Sequence, residues 1–369
     1  MLVMVFTDIC IYKKKGFSLT MDTQKMIYLR ADGNPQIASG HLMRCLTIAR
    51  ALRKKEVLPV FIVSDPTSIE MLRNMFTPEE ISSHAFPIVH LQTAYDDLEA
   101  EIPVLSRILT AQKPQCMLVD SYFATAAYFE ALQGLCPLAY LDDLQSFDAP
   151  VNLVINYDLS PDTSFYQNAR RVLTGAAYTP LREQFSLQQY HVWEQVKDVL
   201  ISTGATDPWY IAADLLESLL ADPFWKDTCF HMMTGPVHQS RERLLSYAAS
   251  DSRVQIHENV KDMASLMAEC DLALSAGGTT LYELCAIGVP TVSFAFTDNH
   301  LPGIRDFAAA DLIPTAGDIR TNKDFIFHTA ETLKLLALTP AQRADQSSRM
   351  RMAIDGAGAD RIAGALLKL

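Results

Sequence analysis

The feature that most constrains the fold is an alternation of short apolar runs with amphipathic stretches, beginning near Met26. Short apolar runs are typical of buried parallel strands, and the stretches between them repeat apolar residues with the period of a helix. This alternation predicts a parallel α/β sheet. The predicted strands of the first half are 27–31, 57–63, 86–91, 115–120, 137–141, 152–156 and 170–175. The predicted helices are 41–55, 67–76, 96–112 and 126–134.

The same pattern restarts near Val196, after a proline-containing segment, 176–185, that we interpret as a connection between domains. The predicted strands of the second half are 197–203, 228–235, 253–258, 271–276 and 291–296. The predicted helices are 208–222, 240–250, 261–270, 279–288 and 301–312, followed by amphipathic helices over 324–369. We therefore predict two Rossmann-like domains facing a cleft, because ligands bind beyond the carboxyl ends of strands in open parallel sheets.

The predicted domain boundaries are 25–185 and 190–369, preceded by an N-terminal extension, 1–24, that follows no part of this pattern. The extension is apolar first and basic afterwards, the reverse of a secretory signal. We interpret it as an upstream start-site extension or a loose tail, with Met21 or Met26 as a natural start. The last helix is a candidate to fold back across the first domain.

Composition excludes several classes of partner. A net charge of −12 argues against a nucleic-acid-binding protein, which needs a basic face. No apolar run reaches the roughly 18 residues that span a bilayer, so we expect no stable membrane association. Seven scattered cysteines without a CxxC spacing indicate reduced core residues in a cytoplasmic protein. We expect a monomer, although the sequence leaves the oligomeric state open.

The stretch 27–45 starts as a strand and ends as a helix. Arg30 and Asp32 follow the strand, and His41 and Arg44 are three residues apart, so they share one face of the helix. Imidazole titrates close to neutral pH, which suits a general base. His41 is therefore either a general base or a residue that packs at a helix start, and the residues alone leave both interpretations open.

The stretch 274–300 combines a buried strand, a double glycine, a helix and a second strand. Gly277 and Gly278 allow the backbone to approach an anion, and the positive end of the following helix points at the same place. This pattern predicts a phosphate-binding loop. Glu283 either forms a capping box with Thr280 or accepts hydrogen bonds from ribose hydroxyls. Asn299, after the second strand, can donate to and accept from a sugar.

Further polar residues follow other predicted strands. Tyr122 and Asp143 come after two strands of the first half, and Asp143 is either structural, capping a turn, or part of the site. STGATDP, 202–208, has the composition of a phosphate-facing turn, with Asp207 and Pro208 as a helix start. HExxH, paired CxxC and Walker A motifs are absent from the sequence, so we predict no metal site.

Five motifs of this chain resemble, in the same order, those of the UDP-sugar hydrolases of pseudaminic acid biosynthesis and the related spore-coat polysaccharide proteins. The motifs are RAD…GHLMRCLTIARAL, VDSY, YLDD, STGATDP and SAGGTTLYELCAIGVPTVSFAFTDNH. The resemblance runs from about Met26 to the end. It implies a GT-B fold and a UDP-sugar substrate. It also implies metal-independent hydrolysis without a cofactor, in which water attacks C1 with inversion and UDP leaves.

The resemblance also implies roles for individual residues. His41 matches the family's proposed general base, and Tyr122 and Asn299 match residues that position the sugar. Glu283 matches the carboxylate that holds the uridine ribose. The further substrate-binding candidates are Arg30, Asp32, Gly40, Arg44, Asp143, Gly204, Gly277, Gly278, Thr279 and His300, of which Gly277, Gly278 and Thr279 match the diphosphate loop. His300 replaces the family's glutamine, so we expect substrate choice to differ there.

Two other functions remain open at this point. A glycosyltransferase of the same fold would pass the sugar to an acceptor instead of to water. A non-catalytic nucleotide-sugar binder would not need His41, whose presence argues against it.

Overall fold

A computed structural model describes residues 25–369 and a short strand at Val3–Met4; the remaining residues of the predicted extension 1–24 lie outside the described part. The chain divides into two compact units. Unit 1 comprises 1–182 and 357–369, and unit 2 comprises 183–356. The boundary falls inside the segment 176–185, and the last helix groups with unit 1, whereas the predicted boundary 190–369 placed it in the second domain.

Unit 1 is built on an eight-stranded parallel sheet in the order β1-β4-β3-β2-β5-β6-β7-β8. Its strands are β1 (Val3–Met4), β2 (Met26–Ala31), β3 (Leu58–Val63), β4 (Ile88–His90), β5 (Cys116–Asp120), β6 (Leu138–Leu141), β7 (Leu153–Asn156) and β8 (Val172–Thr174). Its described helices are α1 (Gly40–Lys54), α2 (Pro66–Met75), α3 (Pro78–Ser82), α4 (Ile102–Gln112), α5 (Ala126–Leu132) and, from the end of the chain, α13 (Gly358–Leu366).

Unit 2 repeats the plan with a six-stranded parallel sheet in the order β11-β10-β9-β12-β13-β14. Its strands are β9 (Asp198–Ser202), β10 (Cys229–Met233), β11 (Val254–His257), β12 (Leu272–Ala276), β13 (Thr291–Ala295) and β14 (Thr315–Asp318). Its helices are α6 (Ile211–Ala221), α7 (Arg241–Ser250), α8 (Met263–Ala268), α9 (Thr279–Ile287), α10 (Leu301–Ala309), α11 (Phe325–Ala337) and α12 (Pro340–Ala353).

Each unit buries its own core, as the two runs of alternating elements predict. In unit 1 the buried cluster includes Tyr28, Met117 and Phe129, which are almost fully shielded from solvent. In unit 2 it includes Trp225 and Phe294. The central strands are buried along nearly their whole length, which explains why they read as continuous apolar runs.

The structure differs from the predicted elements in several places. Strand β1 pairs with β4, although the extension 1–24 was predicted to follow no part of the pattern. Strand β14 was not predicted, because its sequence TAGD lacks an apolar run; it forms by pairing with β13 at the sheet edge. Helix α3 was also missed, although Thr77 and Glu80 form a capping box at its start. Helix α4 begins at Ile102, not at residue 96, with Pro103 in its first turn, where a missing N–H costs nothing.

Within the described residues, no helix has both the length and the apolar character that a bilayer crossing requires. The described cysteines are free thiols, as the scattered spacing predicted, and most of them are buried.

Candidate functional site

The most chemically suggestive group of side chains in unit 1 lies where β5 meets the start of α1. Strands β2 and β5 are neighbours with Ala31 opposite Asp120, so the loop that follows β2 brings the first turn of α1 to the end of β5. His41, in that turn, is buried, and its Nδ1 lies 2.6 Å from Asp120 Oδ1. A carboxylate can only accept, so Nδ1–H donates to Asp120 and Nε2 keeps its lone pair. This is the arrangement of an oriented general base.

Arg44 keeps Asp120 charged. Its Nε donates to Asp120 Oδ2 at 2.6 Å, and its Nη2 donates to the same Oδ1 that His41 uses. Nη2 also lies 2.9 Å from His41 Nδ1, but both nitrogens carry hydrogens and share the carboxylate oxygen. Burial opposes ionisation of Asp120, yet Arg44 and His41 outweigh it and hold the pKa of that carboxyl well below its ordinary value.

The other side of Arg44 contacts Asp143 and Tyr157. Its Nη1 donates to Asp143 Oδ2 and to the Tyr157 hydroxyl, both at 2.7 Å. Burial disfavours the guanidinium charge, but Asp120, Tyr157 and Asp143 outweigh it, and the pKa of Arg44 lies well above its ordinary value. The guanidinium is therefore a fixed cation that orients its neighbours.

Tyr122 borders the same group from outside. Its ring meets His41 edge to face, with ring centroids 4.3 Å apart, and 45% of the residue is exposed. Burial and the charge of Asp143 raise its pKa, so the phenol is a neutral O–H donor at neutral pH. Gly40, the first residue of α1, is exposed, and a Cβ there would meet nothing within 4 Å. Packing does not require a glycine at this position.

Arg30 and Asp32 lie in a separate buried cluster. Arg30 is fully buried and donates through Nε and Nη2 to Glu101, and through Nη1 to Asp32 at 2.5 Å. Asp32 in turn accepts from the Ser64 backbone at 2.8 Å and from the Ser68 hydroxyl at 3.0 Å. The structure thus buries these two predicted substrate-binding residues in a cluster of their own.

The alternative that Asp143 caps the following turn is wrong, since the neighbouring Asp142 caps that turn. Asp142 Oδ1 accepts from the backbone of Leu144 and Gln145, both at 3.0 Å, whereas Asp143 pairs with Arg44. Tyr157 was missed as a site residue. The available signal was its position directly after β7, where a strand's carboxyl end places it beside Asp143 in the site.

In unit 2, the double glycine follows β12 as predicted and leads directly into α9. Gly278 precedes the helix at φ 137°, a conformation suited to glycine, and no described side chain caps this helix end. Gly278 and Thr279 are exposed. The N–H groups of Thr279 and Thr280, which donate to no described residue, and the positive end of the helix dipole are therefore available to an anion.

The capping-box alternative for Glu283 is also wrong. A box with Thr280 requires that residue to precede the helix, but α9 already begins at Thr279. Glu283 instead lies in the second turn and is half-buried.

His300 packs directly against the double glycine. A Cβ on Gly277 would lie 2.8 Å from the His300 Cβ, so only glycine fits there. The His300 ring meets Phe296 edge to face at 4.6 Å, and its buried Nδ1 has no partner among the described residues. Burial, and then Arg320, lower the pKa of His300, which keeps the imidazole neutral. Asn299 is exposed and accepts from the Thr297 hydroxyl.

Gly204 lies in the loop after β9, the strand next to β12. Its φ is 85°, and the Phe296 ring lies 3.4 Å from the place of its missing Cβ. The helix start predicted at Asp207 and Pro208 is displaced, because α6 begins at Ile211. Asp207 accepts from the backbone N–H groups of Ile211 and Ala212, so its carboxylate already occupies that helix end. Of these two helix ends, only that of α9 is open to an anion.

Comparisons with known proteins agree with this architecture. No family model matches the chain. The spore coat polysaccharide biosynthesis protein SpsG of Bacillus subtilis is 22% identical over 351 residues, 92% of this chain and 97% of that protein. An uncharacterized protein of Methanocaldococcus jannaschii is 25% identical over 284 residues, and the match spans 72% of this chain but about half (54%) of that protein.

Solved structures match over almost the whole chain. MurG of Acinetobacter baumannii superposes with a TM-score of 0.66 at 14% identity, covering 94% of this chain and 100% of that one. The chain has the GT-B fold. UDP-GlcNAc 2-epimerase of Neisseria meningitidis, bound to UDP-GlcNAc, superposes with a TM-score of 0.63 at 14% identity, covering 94% of this chain and 100% of that one. The calicheamicin glycosyltransferase CalG4 superposes with a TM-score of 0.59 at 13% identity, covering 94% of this chain and 98% of that one. The predicted fold class is thereby confirmed.

Proposed function

We propose that this protein hydrolyses a UDP-linked sugar at C1 and releases UDP. The observation that carries the proposal is the His41–Asp120 hydrogen bond, locked by Arg44 at the carboxyl edge of the unit 1 sheet. An imidazole held in one tautomer by a buried carboxylate is a general base whose free Nε2 accepts a proton. Arg44 supports the role of His41 as a base, since it keeps the Asp120 carboxylate ionised.

In the proposed reaction, water gives a proton to Nε2 of His41 while its oxygen forms a bond to C1. The bond from C1 to the phosphate oxygen breaks, and UDP departs with the electron pair. Asp120 stabilises the imidazolium that results, because it remains ionised throughout. Attack on the face opposite the leaving group inverts C1. Tyr122, an exposed neutral donor beside His41, is proposed to position the sugar.

Unit 2 is proposed to bind the UDP moiety. The open end of α9, with Gly277, Gly278 and Thr279, suits the diphosphate, because the N–H groups at the helix start and the helix dipole stabilise negative charge that grows as UDP leaves. Glu283 is proposed to accept from the ribose hydroxyls, and Asn299 to contact the sugar. Stabilisation of the leaving group by the backbone makes a metal unnecessary in this scheme.

The proposed substrate is a UDP-linked 2,4-diacetamido-2,4,6-trideoxyhexose of nonulosonic (pseudaminic) acid biosynthesis. The support is the ordered set of motifs in the sequence, together with a relative named for spore coat polysaccharide biosynthesis. The alternative is a GT-B glycosyltransferase, favoured by the similarity to CalG4, in which His41 would deprotonate an acceptor hydroxyl in place of water.

The deciding experiment incubates the protein with a panel of UDP-sugars, in EDTA and without an acceptor, and follows UDP release. We expect turnover of the diacetamido sugar, inversion at C1 by proton NMR, and loss of turnover in His41→Ala. If UDP is released only after an acceptor is added, the protein is a glycosyltransferase and the proposed hydrolysis is refuted. Undiminished release by His41→Ala would refute the base assignment.

A further inference from the structure

Unit 2 carries a second group of reactive side chains, at the start of its strands. Asp198 is the first residue of β9 and Cys229 the first of β10, and the two are paired in register. His231 lies two residues beyond Cys229 and therefore on the same face of the sheet. One ligand atom from each of the three, carboxylate oxygen, thiol sulfur and imidazole nitrogen, lies within 4.8 Å of the others.

The hydrogen bonds of His231 favour a metal ligand. Its Nε2 lies 2.9 Å from Asp198 Oδ1, and its Nδ1 lies 2.9 Å from Nε2 of His257. Without a metal, Nε2–H donates to the Asp198 carboxylate, which can only accept, and Nδ1 accepts from Nε2–H of His257. A zinc ion would take the place of the Nε2 proton, and Nδ1–H would then donate to His257. Histidines that bind metals almost always donate their other N–H to a neighbour in this way, which fixes the ring and its tautomer.

We propose that Asp198, Cys229 and His231 bind a zinc ion, with His257 orienting His231. Sulfur and imidazole donors select a borderline metal such as Zn²⁺ over Mg²⁺ or Ca²⁺, which prefer oxygen. Thiolate and carboxylate together neutralise the two charges of the ion. Tetrahedral zinc places such ligands about 3.3–3.8 Å apart, so the contact between Asp198 and His231 opens by only a few tenths of an ångström.

The site has an entry path. The Asp198 side chain is 36% exposed, whereas that of His231 is only 7% exposed. Asp198 faces a surface cavity with seven lining residues, of which four are acidic and one is a lysine, so the surroundings attract a cation. The lining residues are Trp193, Glu194, Gln195, Lys197, Asp198, Glu269 and Asp271.

This zinc site is separate from the loops proposed to bind UDP. Asp198 and Cys229 begin their strands, whereas Gly204 and Gly277 follow the ends of β9 and β12. A metal held by the first residues of two adjacent strands ties β9 to β10. Its expected effect is on the stability of unit 2, and it is independent of the proposed hydrolysis.

The test is zinc binding by tag-free, EDTA-stripped full-length protein, followed by calorimetry and by the shift of Tm. We expect one equivalent of zinc and a raised Tm. Cys229→Ser and Asp198→Asn should abolish both, and His257→Gln should weaken binding about 10–100-fold. Cobalt should give a thiolate-to-metal charge-transfer band in wild type that Cys229→Ser lacks.

Controls separate binding from folding. Cys136→Ser and His328→Gln change a cysteine and a histidine outside the cluster and should bind zinc like wild type. The metal-free Tm of each variant checks the fold, and if Cys229→Ser fails to fold, Asp198→Asn decides the question. Failure of wild type to bind zinc overturns the proposal. So does wild-type zinc affinity in both Cys229→Ser and Asp198→Asn.

Discussion

Replacing Asp120 by asparagine tests the proposed base most directly, because it keeps the shape of the side chain and changes only its acceptors. The carboxylate accepts three N–H groups from charged or aromatic partners: two from Arg44 and one from His41. An asparagine has one oxygen and one NH₂ group. Wherever the oxygen lies, the NH₂ group faces at least one N–H donor.

When the amide oxygen accepts from Arg44 Nε, the NH₂ group replaces Oδ1 and faces both His41 Nδ1 and Arg44 Nη2. The imidazole then accepts at Nδ1 and carries its proton on Nε2, so the proposed base is lost. Loss of the orienting carboxylate in a comparable His–Asp pair lowers kcat about 10⁴-fold, equivalent to about 5 kcal/mol of barrier. We also expect a loss of stability of about 3 kcal/mol, the lower end for a broken buried pair, since Arg44 keeps Asp143.

The assay is UDP release at saturating substrate, with kcat and KM determined separately and Tm measured on the same preparations. Asp143→Asn is the matched comparison, because it also takes a carboxylate from Arg44 but leaves the His41–Asp120 bond intact. It should lower kcat far less. The double variant His41→Ala/Asp120→Asn should be no slower than His41→Ala alone, since both residues act as one unit. A wild-type kcat in Asp120→Asn, with His41→Ala inactive, would refute the orienting role.

Three further predictions follow from the geometry. The pKa of the Asp120 carboxyl is lower in the folded protein than in the unfolded chain, where it is about 4. The stability that Asp120 contributes is therefore fully present above about pH 4 and is lost as the pH falls through the folded pKa. The difference in Tm between wild type and Asp120→Asn should shrink below about pH 4. Gly278→Ala should cost about 1–3 kcal/mol and raise KM for the UDP-sugar, because φ is 137°, whereas Gly235→Ala, with open space and ordinary φ, should change neither. Arg30→Met should destabilise unit 1 by about 3–5 kcal/mol, since it leaves buried carboxylates unpaired, while Arg50→Met, at a half-exposed ion pair, should cost about 1 kcal/mol or less by thermal unfolding.

The sequence predicted the architecture well because its strands are buried on both faces. Continuous apolar runs such as those of β5 and β12 have few alternatives, and the glycine pair after β12 marks the turn into α9. Prediction failed where tertiary pairing supplies the stability. Strand β14 has almost no apolar residues, and it exists because β13 offers an edge with which to pair.

The candidate site was predicted less completely, because its key contacts join residues far apart in the chain. His41 and Arg44 share a helix face, which spacing shows, but their partner Asp120 is 79 positions from His41. The residues of the proposed zinc site were hidden for the same reason. Cys229 and His231 are a Cys-x-His pair, yet Asp198 joins them only through the register of β9 and β10.

Two arginines that look alike in the sequence, each near a strand end or helix start, differ in what surrounds them. Arg30 and its partners Asp32 and Glu101 are almost completely shielded, with side-chain exposures of 0%, 3% and 0%. A closed cluster of this kind cannot exchange a partner for a ligand without exposing a buried charge, so it fixes the end of β2. Around Arg44 the exposures rise to 12%, and to 21% at Asp143, which leaves one face that a ligand can reach. Burial, not residue type, therefore separates the arginine that supports the fold from the one that we propose acts beside the base.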